Sequence, residues 1–188
     1  MSTTLRVVLV NGSPNEESKT LTLARTIATG LERMVPIDLR ILDVYRLGPG
    51  FTGARSRDDL PGEVLARIEE LEDADILIAA SPVFRGSYTG MFKHLFDMVD
   101  QYALANKLVI LAATGGTDRH ALVLEHELRP LFAFFQANIA PVAYYASAAD
   151  FDGMLILNPE IYSRIEVGLG DLAEPIRALE STNVRNMS

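Results

Sequence analysis

Three short segments of this 188-residue chain hold residues spaced for chemistry. The first is Gly12-Ser13-Pro14-Asn15-Glu16-Glu17-Ser18-Lys19-Thr20, with hydroxyls at Ser13, Ser18 and Thr20. It lies between an apolar run and a helical period, so free N–H groups at the helix start join those hydroxyls as a cradle for a phosphate. Two glycine-rich phosphate motifs are excluded. A Walker loop begun at Gly12 needs glycine and lysine where Glu17 and Ser18 stand, and a Rossmann fingerprint needs glycines where Pro14 and Glu17 stand. The plain alternative is an N-capping loop, and Glu16 and Glu17 oppose a phosphate unless they face solvent. The second segment runs from Ser81 to Lys93. Its Ser, Pro and Gly residues keep backbone polar groups near the surface, and Phe84 and Tyr88 add flat aromatic faces. A planar ligand can lie against such a loop, although a tight structural turn explains the same residues. Tyr88 and Lys93 are five apart, which excludes the Tyr-x-x-x-Lys pair of a dehydrogenase. The third segment is Thr114-Gly115-Gly116-Thr117-Asp118-Arg119-His120. Paired glycines let backbone approach a ligand closely, while Asp118 alone reads as a helix cap.

The elements around these segments must bring them together. Apolar runs predict strands at 5–10, 37–42, 74–80, 108–112 and 139–146. Helical spacing predicts helices at 20–33, 63–71, 89–101 and 120–136. A last helix is capped by Asn158, with Pro159 at its first position. It heads towards Leu179 past Gly168, Gly170 and Pro175, any of which can break it. Residues 48–61 read as the one long loop. Strands alternating with helices through short links imply right-handed crossovers and a parallel sheet covered on both faces. The expectation is an α/β, flavodoxin-like three-layer sandwich with a five-stranded parallel sheet of order 2-1-3-4-5. One domain spans 1–180, with a frayed tail at 181–188. In that order strands one, three and four are neighbours, so their loops form one site.

Composition narrows the function classes. A chain this long buries about 70% of its unfolded surface and needs no staples. It has no cysteine, which excludes disulfides, thiolate metal sites and a cysteine nucleophile. The net charge of −8 argues against nucleic acid and anionic membranes. No leader opens the chain and no apolar run nears the ~20 residues of a membrane span. A cytoplasmic protein is expected.

Taken together, the segments resemble NAD(P)H-dependent FMN reductases of the flavodoxin-like fold. Gly12-Ser13-x-x-x-x-Ser18-x-Thr20 is similar to that family's phosphate loop, Pro82 to Gly90 with Lys93 to its flavin loop, and Ala113 to Thr117 to its third loop. The resemblance covers nearly the whole chain and points in particular to the reductases of two-component sulfonate monooxygenase systems, the methanesulfonate type above all. It implies an oxidoreductase that uses NADH or NADPH to reduce FMN and hands the product to a partner flavin-dependent monooxygenase. It implies that Ser13, Ser18 and Thr20 hold the FMN phosphate, with Asn15 and Leu21 also among the cofactor-binding residues, although Asn15 stands where many relatives carry a basic residue. Pro82, Val83, Phe84 and Arg85 line the isoalloxazine through backbone contacts, Ser87 is a further cofactor-binding residue, and Gly115, Gly116 and Thr117 hold the pyrimidine edge. Hydride passes directly between stacked rings, so no catalytic side chain is expected and the protein supplies orientation. Arg85 and Arg119 could reach a 2′-phosphate, but nothing in the sequence fixes them there, and the choice between NADH and NADPH stays open.

Two features lie outside these loops. Pro130 has no N–H for the carbonyl of His126, so the helix over 120–136 should kink or widen into a π-type turn there. By the resemblance, such an irregular helix lies at a tetramer interface, which makes His126 a candidate for a subunit contact that tunes flavin exchange. The other histidines, His94 and His120, show no metal spacing. Leu128, Leu131, Phe132, Phe134 and Phe135 exceed one core-facing stripe and suggest a homodimer or homotetramer. The rival readings are an azo or quinone reductase that retains its FMN, and a flavodoxin-type electron carrier, which the acidity suits. A carrier shields its flavin between aromatics, and this chain has no tryptophan.

Overall fold

The structure, a computed structural model, describes residues 4–186. Its elements in order are β1 (Leu5–Asn11), α1 (Lys19–Glu32), β2 (Ile37–Asp43), α2 (Pro49–Thr52), α3 (Gly62–Glu72), β3 (Ile76–Pro82) and α4 (Gly90–Met98). Then come β4 (Leu108–Gly115), a π turn (Leu124–Leu128), α5 (Arg129–Phe134), β5 (Asn138–Ile139), β6 (Tyr144–Ser147), β7 (Phe151–Asp152), β8 (Leu155–Ile156), α6 (Pro159–Gly170) and α7 (Ala173–Asn186). The main sheet is parallel with order β2-β1-β3-β4-β5, and β6 also lies beside β4.

Alternation along the central strands builds the layers. Val8, Val10, Leu77, Ala79, Val109 and Leu111 pack on one face against α3, α4 and α5. Val7, Leu9, Ile76, Ile78, Leu108 and Ile110 pack on the other against α1 and α6. The three-layer α/β sandwich and the strand order follow the sequence expectation.

Several local expectations need correction. The fifth strand is two pieces, because Pro141 cannot donate to a ladder. Arg129 binds the gap instead, donating to the carbonyls of Ala140 (3.3 Å) and Pro141 (3.4 Å). Residues 48–61 are not plain loop. Pro49 starts the short α2, which buries Phe51 against the His94 ring at 4.8 Å, and His94 Nε2 bonds the Phe51 carbonyl at 2.9 Å. The helix expected over 89–101 stops at Met98, whose carbonyl accepts from Arg57, itself paired with Glu72. The segment 120–136 is the π turn and α5, with the widening where Pro130 predicts it. Of its large apolar residues, Leu128, Phe132 and Phe135 are core, Leu131 is half-buried, and Phe134 is exposed. The last helix does break after Gly170. It resumes as α7 with Pro175 in the first turn, where the missing N–H has no helical partner to lose. α7 continues through Asn186, so 181–186 are helical rather than frayed, and 187–188 lie outside the described residues.

Tyr144 is buried, and its hydroxyl has no hydrogen-bond partner among the described residues. Burial pushes that phenol up to about 12. The oxygen fits against α6 only because residue 168 is glycine, since a Cβ there would stand 2.5 Å from it. Gly168→Ala is therefore expected to lower stability by about 1–3 kcal/mol despite the better helix former. Tyr144→Phe should leave the melting temperature unchanged or raise it. Thermal unfolding of both variants checks this, and a lower Tm for Tyr144→Phe would contradict the unpartnered hydroxyl.

Candidate functional site

The carboxyl ends of β1, β3 and β4 stand side by side, with Asn11 opposite Ala80 and Pro82 opposite Thr114. The three loops therefore leave the sheet as neighbours, and hydrogen bonds join each pair. Thr89 links the first to the second. It is fully buried, its hydroxyl donates to the Gly12 carbonyl at 2.9 Å, and it accepts from Phe92 N–H at 3.3 Å as the N-cap of α4. Val83 N–H donates to the Thr114 carbonyl at 2.7 Å and links the second to the third. Thr20 and Thr114 hydroxyls meet at 2.6 Å and link the first to the third.

The first loop is shaped by buried Asn11. Its amide donates to Asp43 Oδ1 at 2.6 Å and accepts from Ser13 N–H at 3.2 Å. Ser13 Oγ in turn accepts from Asn15 N–H at 3.3 Å. Ser18 caps α1 by accepting from Leu21 N–H at 3.2 Å. The N–H groups of residues 16–20 have no acceptor among the described residues. Glu16 and Glu17 are exposed, and Glu16 turns to Arg46 at 3.5 Å. The two carboxylates are thus solvated and leave the row of donors open to an anion. Thr20 is part of that row through its N–H, since its hydroxyl is engaged by Thr114.

The second loop is tighter than its sequence suggests. Phe84 and Ser87 exchange both backbone hydrogen bonds, at 2.8 and 3.1 Å. Arg85 (φ 52°) and Gly86 (φ 86°) between them are both left-handed, the two-residue turn of a hairpin. For Arg85 this conformation costs about 1–2 kcal/mol, so the surroundings must hold it. Phe84 is 48% exposed and available as a platform. Tyr88 is not, because it is half-buried against Phe92 at 5.7 Å, and burial pushes its phenol up. Lys93 pairs with Asp97 on its own helix.

In the third loop, Gly115 packs where a side chain would strike the Tyr145 ring, and Tyr145 Oη donates to the Thr117 carbonyl at 2.6 Å. Burial pushes that phenol up as well. Gly116 has open space on its Cβ side, room for a ligand edge. Asp118 opens a single 3₁₀ turn over Asp118–His120 and makes no side-chain cap, contrary to the sequence reading. Sequence reasoning gave no individual role to Asn11, Ser81, Thr89, Thr114 or Tyr145, which shape the loops from beneath. The available signal was a polar residue ending each apolar run, as Asn11, Ser81 and Thr114 do. A cavity of about 580 Å³ lies elsewhere, between α1 and α6, and touches none of the three loops. Among the described residues no cluster of three histidines or carboxylates can hold a metal, and no helix is long and apolar enough to cross a membrane.

Residues 5–161 match the family described as NADPH-dependent FMN reductase. The chain belongs to this family. The FMN reductase (NADPH) of Pseudomonas aeruginosa is 45% identical over 167 residues, covering 89% of this chain and 90% of that protein. The NADH-dependent FMN reductase SfnF of Pseudomonas fluorescens is 44% identical over 167 residues, with 89% of each covered. Among solved structures, the apo form of the NADH:FMN oxidoreductase EmoB superposes with TM-score 0.81 at 25% identity, over 92% of this chain and 90% of that one. Membership makes this FMN reductase family chain an oxidoreductase whose reactants are FMN and a reduced pyridine nucleotide. The loops fit the flavin: open N–H groups suit its phosphate, the exposed turn its ring, and the clear side of Gly116 its edge.

Because Thr89 joins two loops and caps a helix, Thr89→Val is expected to destabilise the protein by about 1–3 kcal/mol, leaving the Gly12 carbonyl buried without its donor. Thr89→Ser should recover most of the loss. Chemical denaturation checks both, and a Thr89→Val midpoint equal to wild type would contradict the joint.

Proposed function

We propose that the protein is an NAD(P)H:FMN reductase that binds FMN across the three loops and releases it reduced to a partner sulfonate monooxygenase. The observation that carries this reading is the hydrogen-bonded convergence of an open N–H row, an exposed turn and a glycine pair at one sheet edge. Ser13, Asn15, Ser18, Thr20 and Leu21 hold the phosphate, largely through main-chain N–H groups. Pro82, Val83, Phe84, Arg85 and Ser87 line the ring. Gly115, Gly116 and Thr117 meet the pyrimidine edge. When bound, FMN supplies the ring that accepts hydride from the reduced nicotinamide. The chain's own part is to hold that ring face-on and leave its other side open for the nicotinamide.

The open setting of Phe84 supports exchange of flavin rather than its retention. The resemblance to sulfonate-system reductases and the relatives named SfnF and SfnE support the choice of partner. A homodimer or homotetramer in the cytoplasm completes the proposal. Its contact runs over the π turn and the residues flanking it, where Leu122, His126 and Phe134 are exposed, and there His126 tunes flavin exchange.

Oxidation of NADH and NADPH by the purified protein, with catalytic and then excess FMN, tests this. The expected result is a colourless preparation whose nucleotide oxidation requires FMN and saturates with it. A yellow protein that oxidises little without a quinone would contradict flavin release, and no oxidation with FMN would contradict the activity. In the same assay, His126→Ala should change oligomer size by light scattering or the apparent FMN affinity. No change in either would remove its role.

A further inference from the structure

A side-chain hydrogen bond joins the π turn to the second loop. Ser87 Oγ donates to Glu127 Oε2 at 2.9 Å, across forty residues of sequence and partly buried. Ser87 closes the turn that holds Arg85 and Gly86 left-handed, bonding Phe84 through both its N–H and its carbonyl. That turn cannot be stable by backbone preference alone, because Arg85 pays the left-handed penalty of an L-residue. A carboxylate acceptor makes a stronger hydrogen bond than a neutral one, and Glu127 supplies it.

The π turn explains why a glutamate stands there. Pro130 has no N–H to offer the His126 carbonyl, and the helix widens over Leu124–Leu128 in response. Leu124 and Leu128 remain in the core on either side, and Glu127 comes to the side that faces Ser87. The turn is anchored from its far side as well. Arg129 pairs with Glu125 at 2.6 Å and donates to the Ala140 and Pro141 carbonyls of the broken fifth strand. Glu127 is therefore fixed on a braced support and reaches a loop that needs bracing.

We infer that Glu127 is a positioning residue for FMN: carried by the π turn, its carboxylate holds Ser87 and so fixes the left-handed turn against which the flavin ring lies. The inference rests on the FMN reading of the loops. Glu127 acts through Ser87 and touches neither reactant. Without it the turn opens, and FMN must reorder the loop as it binds.

Steady-state kinetics and thermal unfolding of the full chain test this with Glu127→Ala, Glu127→Gln, Ser87→Ala and the Ser87→Ala/Glu127→Ala double variant. Glu127→Ala should raise KM for FMN about tenfold, the loss of one hydrogen bond to a charged group, with a smaller effect on kcat and little on Tm. Glu127→Gln retains a weaker, neutral acceptor for Ser87 and should recover part of the loss. Ser87→Ala should match Glu127→Ala, and the double variant should be no worse than either. If KM for FMN is unchanged in Glu127→Ala, or the single losses multiply in the double variant, the inference fails while the FMN site stands. If wild type itself does not turn over FMN, the reading of the site fails first and this inference with it.

Discussion

The Thr89 hydroxyl is the joint on which the site depends. It is wholly buried, so its bonds to the Gly12 carbonyl and Phe92 N–H are made without competition from water. Each such bond contributes only about 1 kcal/mol net, but leaving a buried partner unpaired costs more. One side chain thus ties the start of the first loop to the start of α4 and sets how far apart the two loops stand. The Thr20–Thr114 and Val83–Thr114 bonds close the remaining sides of the triangle. A parallel sheet brings loops to one edge, and these three contacts join neighbouring loops into a single hydrogen-bonded surface.

The chain is strongly acidic, with a net charge of −8, and its reactants are anions. The local arrangement resolves the conflict. The proposed phosphate cradle is a row of neutral N–H donors at the start of α1, where the helix dipole favours negative charge. Glu16 is drawn aside to Arg46, and Lys19 lies over the Phe151 ring at 5.3 Å. A site of neutral donors, without a lysine clamp, holds an anion by geometry more than by charge. That suits the proposed exchange of flavin.

The fold was legible because its signals are periodic and redundant. Five apolar runs and the helices between them dictate a doubly wound sheet, and small errors at the ends of elements do not alter that topology. The π turn was legible for a different reason, since Pro130 removes a single identifiable donor. The loops were legible as segments but not in their internal roles. Tyr88 and Phe84 look equivalent in sequence, yet Phe92 claims the first and leaves the second exposed. Thr20 looks like a free hydroxyl until Thr114, ninety-four residues away, engages it. The left-handed Arg85 gives no sign of itself, because arginine has no preference for that conformation. Long-range hydrogen bonds and strained backbone are properties of the assembled tertiary structure, and no local pattern encodes them.

Hydrogen–deuterium exchange with and without FMN tests the central claim most directly, that three separate loops form one flavin site. The account predicts protection by FMN in three segments together, around residues 13–21, 82–87 and 115–117, with the groove between α1 and α6 unaffected. Protection confined to that groove, or to one loop alone, would contradict it.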